Sequence, residues 1–323
     1  MSKNKKYNTN ENLIQRVLLE PIRNGADQLI IISGYVSHNM ASWHMKRINE
    51  ESLPPIQISL IAGMYPVAGV NIELHEGLKD LVNFSDEHYS SFECKYVYKG
   101  SPVHSKVYLW MKDKIPFVAF VGSANYTRNG FGKLQREYVV DCDPFEAYKY
   151  CQEIEADSII CNHSEVEEYI RFYKSQKIIQ IEQEAKDSTL EKVTLSLLTS
   201  KGDVGYGSGI NWGIRRNGTK REPNQAYIRV PAEIARSGFF PLDKTHFSAI
   251  TDDHKQLILR IEQANNKALT TPLNNSSLGE YLRNRIGVAN GAFVTKADLE
   301  RYGRTDVTFY KIDEEQFFMD FSV

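Results

Sequence analysis

The sequence predicts two domains in tandem: a mixed α/β sheet domain over residues 1–187, then a mostly β barrel or sandwich over residues 188–323. Three observations predict this. At 323 residues the chain is long enough for two domains of ordinary size, each burying its own core. Strand-like runs alternate with helical ones up to about residue 160, as in mixed α/β sheets. Beyond Asp187 short β-rich runs dominate and only two brief helical segments interrupt them.

Taken in order, ENLIQRVLLEPIRNG has apolar residues at helical spacing, and QLIIISGYVS is a buried strand closed by glycine. PIQISLIAGM reads as a second strand, NIELHEGLKDLVNF as an amphipathic helix and FECKYVYKG as a third strand. HSKVYLW, PFVAFVG and QREYVVD follow as three more strands. From Ser164, SEVEEYIRFYKSQKIIQIEQEAKD places Val166, Tyr169, Ile170 and Tyr173 at three- and four-residue steps, which predicts a helix that closes the first domain or leads out of it. In the second half TLSLLTS, QAYIRVP, THFSAIT, LILRIEQ, TFYKI and FFMDFSV are strands, and PAEIARSGF and SSLGEYLRNRIGV are helices. A long polar loop, GDVGYGSGINWGIRRNGTKREPN, separates the first two strands.

Composition narrows the class. The chain is 41% hydrophobic and 25% charged, and no apolar run approaches the roughly 18 residues a membrane helix needs. No apolar segment follows the lysines of MSKNKKYNTN, so the expected compartment is the cytoplasm. Cys94, Cys142, Cys151 and Cys161 form no C-x-x-C pair, which argues against a zinc ribbon or a disulfide framework. Net charge is −2; residues 1–185 carry 20 basic and 24 acidic side chains, and residues 186–323 carry 19 and 17. A polyanionic partner would have to be met by local patches and not by net field.

The chemistry concentrates in SPVHSKVYLWMKDKIPFVAFVGSAN. Side chains at i and i+2 of an extended strand share a face, so His104 and Lys106 point the same way, with Tyr108 and Trp110 continuing that face. PFVAFVG, apolar throughout, reads as a strand buried on both faces that delivers Gly122-Ser123-Ala124-Asn125 to the carboxyl end of a sheet. Glu137 lies within a third apolar run, where a carboxylate needs a partner. A neutral imidazole can attack phosphorus, an ammonium and an amide can hold its non-bridging oxygens, and a carboxylate can fix the imidazole tautomer. No metal and no cofactor is needed by that set. Two other clusters share parts of the pattern. His44-Met45-Lys46 lies in a polar helical stretch with no G-S-x-N after it, and Asp86 with Glu93-Cys94-Lys95 echoes the D…E-x-K arrangement of magnesium-dependent nucleases.

His104-x-Lys106 followed by Gly122-Ser123-x-Asn125 resembles the phospholipase D superfamily signature. The usual pattern has an aspartate five residues after the lysine; Met111 stands there, and Asp113 lies two further on. The superfamily pairs two such motifs about a two-fold axis, one histidine attacking and the other protonating the leaving oxygen. One convincing copy here implies a homodimer. The resemblance assigns catalysis to His104, Lys106, Ser123, Asn125 and Glu137, with Glu137 orienting the histidine.

Two polar arms mark the second half. The first gathers Trp212, Arg215, Arg216, Lys220, Arg221, Asn224 and Gln225; the second runs from Lys267 through Asn274, Asn275, Ser276, Ser277 and Arg283. Arg and Lys suit phosphate and guanine, and Asn and Gln suit adenine; a solvated basic loop has the same composition. G-I-N-W-G…R-E-P-N-Q-A-Y-I-x-V-P with N-N-S-S-L-G-E-Y-L-R-N-R-I-G is similar to the carboxyl-terminal half of the NgoFVII-type restriction endonucleases, where a phospholipase D-type domain joins a B3-like DNA-binding pseudobarrel. That resemblance implies a metal-independent, site-specific endonuclease on double-stranded DNA, with both arms reading sequence. It also implies a cognate DNA methyltransferase and, as in some members, a separately encoded helicase-like ATPase. A DNA-binding protein with an inactive dimerisation domain and another phosphodiesterase on the same fold remain the alternatives.

Overall fold

The computed structural model describes residues 11–132, 135–174, 176, 178–179, 190–214 and 221–323. The chain divides into two compact units, residues 1–175 and 176–323. The expected boundary between residues 187 and 188 lies outside the described residues.

The first unit is built on a seven-stranded sheet in the order β7-β6-β5-β1-β2-β4-β8. Its centre is parallel: β1 (Gln28–Ser33) pairs with β2 (Gln57–Ala62), which pairs with β4 (Ser91–Val97). Parallel neighbours need helical crossovers. The helix His38–Glu50, capped by Ser37, joins the first pair; the helix Ile72–Asn83, capped by Asn71, follows the two-residue strand β3 (Val70–Asn71) and joins the second. Flanked on both sides, β1 is buried from Leu29 to Ser33, and its continuous apolar run is what a doubly covered strand requires. β5 (Val107–Lys112) runs antiparallel to β1, and β6 (Ile115–Gly122) and β7 (Val139–Cys142) continue as antiparallel neighbours. β8 (Ser158–Ile160) pairs antiparallel with β4 at the other edge.

Three expectations change here. β6 is not buried on both faces: β7 pairs only with its residues 119–122, so Ile115 and Phe117 project into solvent. The strand expected in QREYVVD begins at Val139, leaving Glu137 ahead of it on irregular, half-buried chain. The helix expected from Ser164 is interrupted: Val166–Tyr169 is helical, β9 (Phe172–Tyr173) then pairs with β3, and residues 180–187 lie outside the described residues. Phe172 packs on the His75 ring at 4.3 Å, a tertiary contact that outweighs helical periodicity.

The second unit is a seven-stranded sheet in the order β10-β15-β16-β12-β13-β14-β11, whose edge strands β10 (Lys192–Ser196) and β11 (Ile228–Arg229) approach each other, so it curls into a nearly closed barrel. β12 (His246–Thr251), β13 (Gln256–Glu262), β15 (Asp306–Lys311) and β16 (Gln316–Asp320) surround Phe239, Phe240, Phe247, Phe309 and Phe317, all buried. The helices Ala232–Ser237 and Ser277–Ile286 fall where the sequence predicts them. β14 (Ala268–Thr270) and the helix Lys296–Tyr302, opened by a Thr295–Asp298 capping box, are among the elements that were not predicted.

Buried imidazoles tie the first unit together. His44 Nε2 lies 3.2 Å from the Leu18 carbonyl and Nδ1 lies 2.9 Å from the Tyr126 hydroxyl. Since the carbonyl can only accept, Nε2 carries the proton and Nδ1 accepts from tyrosine. His44 is thus a neutral core residue, and burial lowers its pKa to about 4, as it does for His38 and His75. The sign follows directly: the unfolded chain binds these protons near pH 6.5 and the folded chain does not, so stability is undiminished above that pH and lost as pH falls towards 4. For His38 and His44 the slope reaches about 1.4 kcal/mol per pH unit each. Urea unfolding between pH 7 and 4.5 should show this acid loss, and His44→Gln should flatten it while lowering stability at pH 7.

Candidate active site

Three chain segments meet at one end of the first unit's sheet. Gly63 N–H donates to Ser33 O (2.9 Å), and Val103 N–H donates to Gly63 O (2.9 Å), which sets the segment carrying His104 beside the end of β1. The approach at Gly63 is so close that a Cβ there would sit 2.1 Å from the Val103 carbonyl oxygen, so only glycine fits. From the other side Tyr126 N–H donates to Ser33 Oγ (2.9 Å), and Ser37 N–H donates to Tyr126 O (3.1 Å), drawing in the Gly122–Asn125 turn. The buried Tyr108 hydroxyl donates to Ala124 O at 2.7 Å and holds that turn from below.

His104 and Lys106 precede β5 and do not lie within it. Lys106, Tyr108 and Trp110 are buried, as are Val107 and Leu109 of the opposite parity, so β5 is covered on both faces, and Ser105 bonds Tyr150 at 2.7 Å. The imidazole is exposed at the rim. Lys106 Nζ sits 3.3 Å from each ring nitrogen and donates to His104 O at 2.5 Å. Asn125 completes the rim: Tyr35 N–H donates to its Oδ1 at 3.2 Å, which turns the amide so that Nδ2, with no partner among the described residues, is available to donate outwards. Between the two side chains lies Gly34, where a Cβ would stand 3.0 Å from His104 Cδ2 and 3.5 Å from Asn125 Oδ1. Gly34 and Tyr35 are site residues that the motif search missed; the signal available was the glycine closing QLIIIS.

Glu137 comes to the same end but to a different partner. Its carboxylate accepts from Ser123 Oγ, which in turn accepts from Tyr138 N–H at 3.0 Å, and among the described residues no hydrogen bond joins Glu137 to His104 within one chain. Within one chain Glu137 thus holds the Ser123 turn. Its charge acts on Lys106: burial lowers the pKa of that ammonium, and Glu137 opposes the shift. Among the described residues no three His, Cys, Asp or Glu side chains gather to hold a metal ion.

In the second unit the arms divide. Arg215, Arg216 and Lys220 lie outside the described residues. Arg221 lies over the Trp212 ring at 4.5 Å, with Gln225 nearby in sequence and partly exposed. Lys267 and Asn274 are exposed, and Asn275 and Ser277 are partly so. Arg283 is fully buried, and its guanidinium donates to the carbonyls of Ala292, Gly279 and Ile210. Asn224 is buried, accepting from Gly291 N–H at 2.6 Å, and the buried Ser276 hydroxyl donates to Glu222. These three fasten the loops to the barrel, so the expectation that they contact DNA is corrected. The Ser277–Ile286 segment is a packed helix whose apolar and basic residues face inwards, and not a polar arm.

Two family models cover most of the chain. Residues 11–168 match the NgoFVII restriction endonuclease N-terminal PLD domain, and residues 185–313 match the NgoFVII C-terminal B3-like DNA-binding domain. The chain belongs to the NgoFVII restriction endonuclease family. The first unit is thus a phospholipase D-like α/β domain and the second a B3-like pseudobarrel. These two domains support a DNA nuclease, a hydrolase acting on phosphodiester bonds, with double-stranded DNA as its partner. Among solved structures, NucT from Helicobacter pylori is 17% identical, covering 49% of this chain and 98% of its own, with a TM-score of 0.33. Nuc from Salmonella typhimurium, a phospholipase D family member, is 12% identical over 53% of this chain and 97% of its own, with a TM-score of 0.32. The polyphosphate kinase of Porphyromonas gingivalis is 13% identical over 54% of this chain and 26% of its own, at 0.29. No curated protein matches the chain.

In this family member Met111 is buried in the sheet, and Asp113 sits beyond β5 at the opposite end from His104, where its N–H donates to Asp27. Neither takes part in the rim. Lys95 pairs with Glu93 and Glu155, so the second cluster reads as a surface ion-pair network. Lys106 should titrate below an ordinary lysine, and Glu137→Gln should lower it further by removing the opposing charge. NMR of lysine labelled at Cε would show both; an unchanged titration in the variant would break the link between these two residues.

Proposed function

We propose that this chain is a site-specific endonuclease that cleaves double-stranded DNA without metal, through a phosphohistidine intermediate, at one active site formed by two copies. The observation that carries the reading is the rim itself: an exposed imidazole with an ammonium 3.3 Å away and an amide Nδ2 free to donate across Gly34. In the first step a His104 nitrogen attacks phosphorus, an N–P bond forms and one P–O ester bond breaks. The departing oxygen takes a proton from the partner copy's histidine. Water then attacks phosphorus, giving a proton to that same histidine, and the N–P bond breaks, which restores both imidazoles. Lys106 and Asn125 hold the non-bridging oxygens as charge builds on them. Glu137 favours the charged form of Lys106 and holds Ser123 in place. A single histidine per chain supplies nucleophile or acid but not both, so two chains are needed. The second unit brings the duplex; a helicase-like ATPase and a methyltransferase are partners suggested by the family resemblance.

Cleavage of plasmid DNA should persist in excess EDTA and fall at least about a thousandfold in His104→Ala. Loss of cleavage under chelation would overturn the metal-independent step, and undiminished cutting by the variant would overturn the nucleophile. Co-expressing wild-type and His104→Ala chains in equal amounts tests the shared site. Random pairing leaves about one quarter of the dimers with two histidines, so activity should drop to about a quarter; a drop to one half would mean that each chain works alone.

A further inference from the structure

The side chain of Tyr35 stands at the rim of the first unit and has no part in the chemistry derived above. Its backbone is pinned from both ends: the carbonyl accepts from Ser33 Oγ at 2.6 Å, and the N–H donates to Asn125 Oδ1 at 3.2 Å. The residue is 42% exposed, and its hydroxyl makes no hydrogen bond among the described residues. Its ring meets the His104 imidazole at 6.2 Å and 80°, and the Tyr65 ring at 6.5 Å and 77°. Neither neighbour lies face to face on it. From Tyr65 the rings continue inwards to Tyr96 at 5.6 Å and on to His75 at 5.9 Å. All three are buried, so Tyr35 is where this aromatic column reaches solvent. A ring mounted in this way loses little freedom on binding, which is the condition for a stacking platform.

We propose that Tyr35 is a nucleotide-binding residue of the first unit, whose ring receives by stacking a base drawn out of the duplex beside the scissile phosphate. The proposal rests on the nuclease reading above. The ring stands 6.2 Å from the imidazole that attacks phosphorus, less than two base steps of about 3.4 Å each, so the nucleotide it meets adjoins the cut. Lys106 Nζ and Asn125 Nδ2 supply donors for phosphate oxygens on the same rim. An apolar face beside such donors matches a nucleotide, which has an aromatic base at one end and an anion at the other. Inside a duplex both faces of a base are covered, and freeing one costs free energy that stacking on the ring offsets. Holding that base fixes the sugar and phosphate next to it, so phosphorus is presented to His104 in one register.

The test is a double-mutant cycle between protein and DNA. The duplex is taken from a plasmid position that the wild-type chain cuts, mapped by sequencing the ends, and is made intact or with an abasic site on either side of the scissile phosphate. Binding is measured by anisotropy with the full chain carrying His104→Gln, so that it is read without cutting. Adding Tyr35→Ala should weaken binding of the intact duplex about tenfold and leave binding unchanged on the duplex that lacks the stacked base. A mismatch at that position lowers the cost of unpairing, so it should tighten binding by the parent severalfold and by the Tyr35→Ala chain less. Tyr35→Leu, which keeps apolar bulk without an aromatic face, should behave as Tyr35→Ala does, and Tyr35→Trp should restore the loss on the intact duplex. Equal losses on intact and abasic duplexes would overturn the proposal and leave Tyr35 as a support for the imidazole. Loss of the dimer in Tyr35→Ala, read by sedimentation, would overturn it in favour of a contact between copies. Absence of any cutting by the wild-type chain would bring down the nuclease reading and this proposal with it, whereas normal cutting without the coupling brings down this proposal alone.

Discussion

A single buried hydroxyl at the end of the central strand organises the first unit's reactive end. Ser33 Oγ donates to Tyr35 O at 2.6 Å, accepts from Tyr126 N–H at 2.9 Å and lies 3.4 Å from Asn125 Oδ1. One side chain thus satisfies the chain leaving β1 and the chain leaving the Gly-Ser-Ala-Asn turn, which are about ninety residues apart in sequence. A buried polar group without partners is costly, so this closed set of bonds admits few other arrangements. His104, Lys106 and Asn125 owe their common rim to it, through the close glycine approaches at Gly34 and Gly63.

The same accounting separates structural from reactive polar residues throughout the chain. His44, Arg283, Asn224 and Ser276 are buried, and their polar groups are bonded within the fold. Each belongs to a residue type that chemistry uses, and each is occupied by its own fold. The rim of the first unit holds the opposite kind: an exposed imidazole and an amide whose Nδ2 has no partner among the described residues. Free bonding capacity held in fixed geometry distinguishes these groups, and residue type alone does not.

Electrostatics at the rim is a balance and not a simple attraction. Removing Lys106 from water favours its neutral amine, whereas Glu137, bonded to Ser123, favours the charged form. A lysine held between these influences lacks the fully hydrated shell of a surface ammonium. That arrangement suits a group that must bind developing negative charge without reorganising solvent.

Much of this was legible along the chain because it depends on local pattern. Continuous apolar runs located β1 and β2, amphipathic spacing located the Ile72–Asn83 helix, and the spacing of His104, Lys106, Ser123 and Asn125 pointed to the candidate site. The helix expected after Ser164 is interrupted at β9, where the aromatic contact of Phe172 with His75 joins residues nearly a hundred apart. Glu137 found Ser123 and not His104, and Arg283 turned inwards, because partner choice depends on which backbone groups the fold leaves unsatisfied at that place. Residue type and spacing determined what chemistry the chain can offer; long-range packing decided which of those side chains were consumed by the fold and which were left free to act.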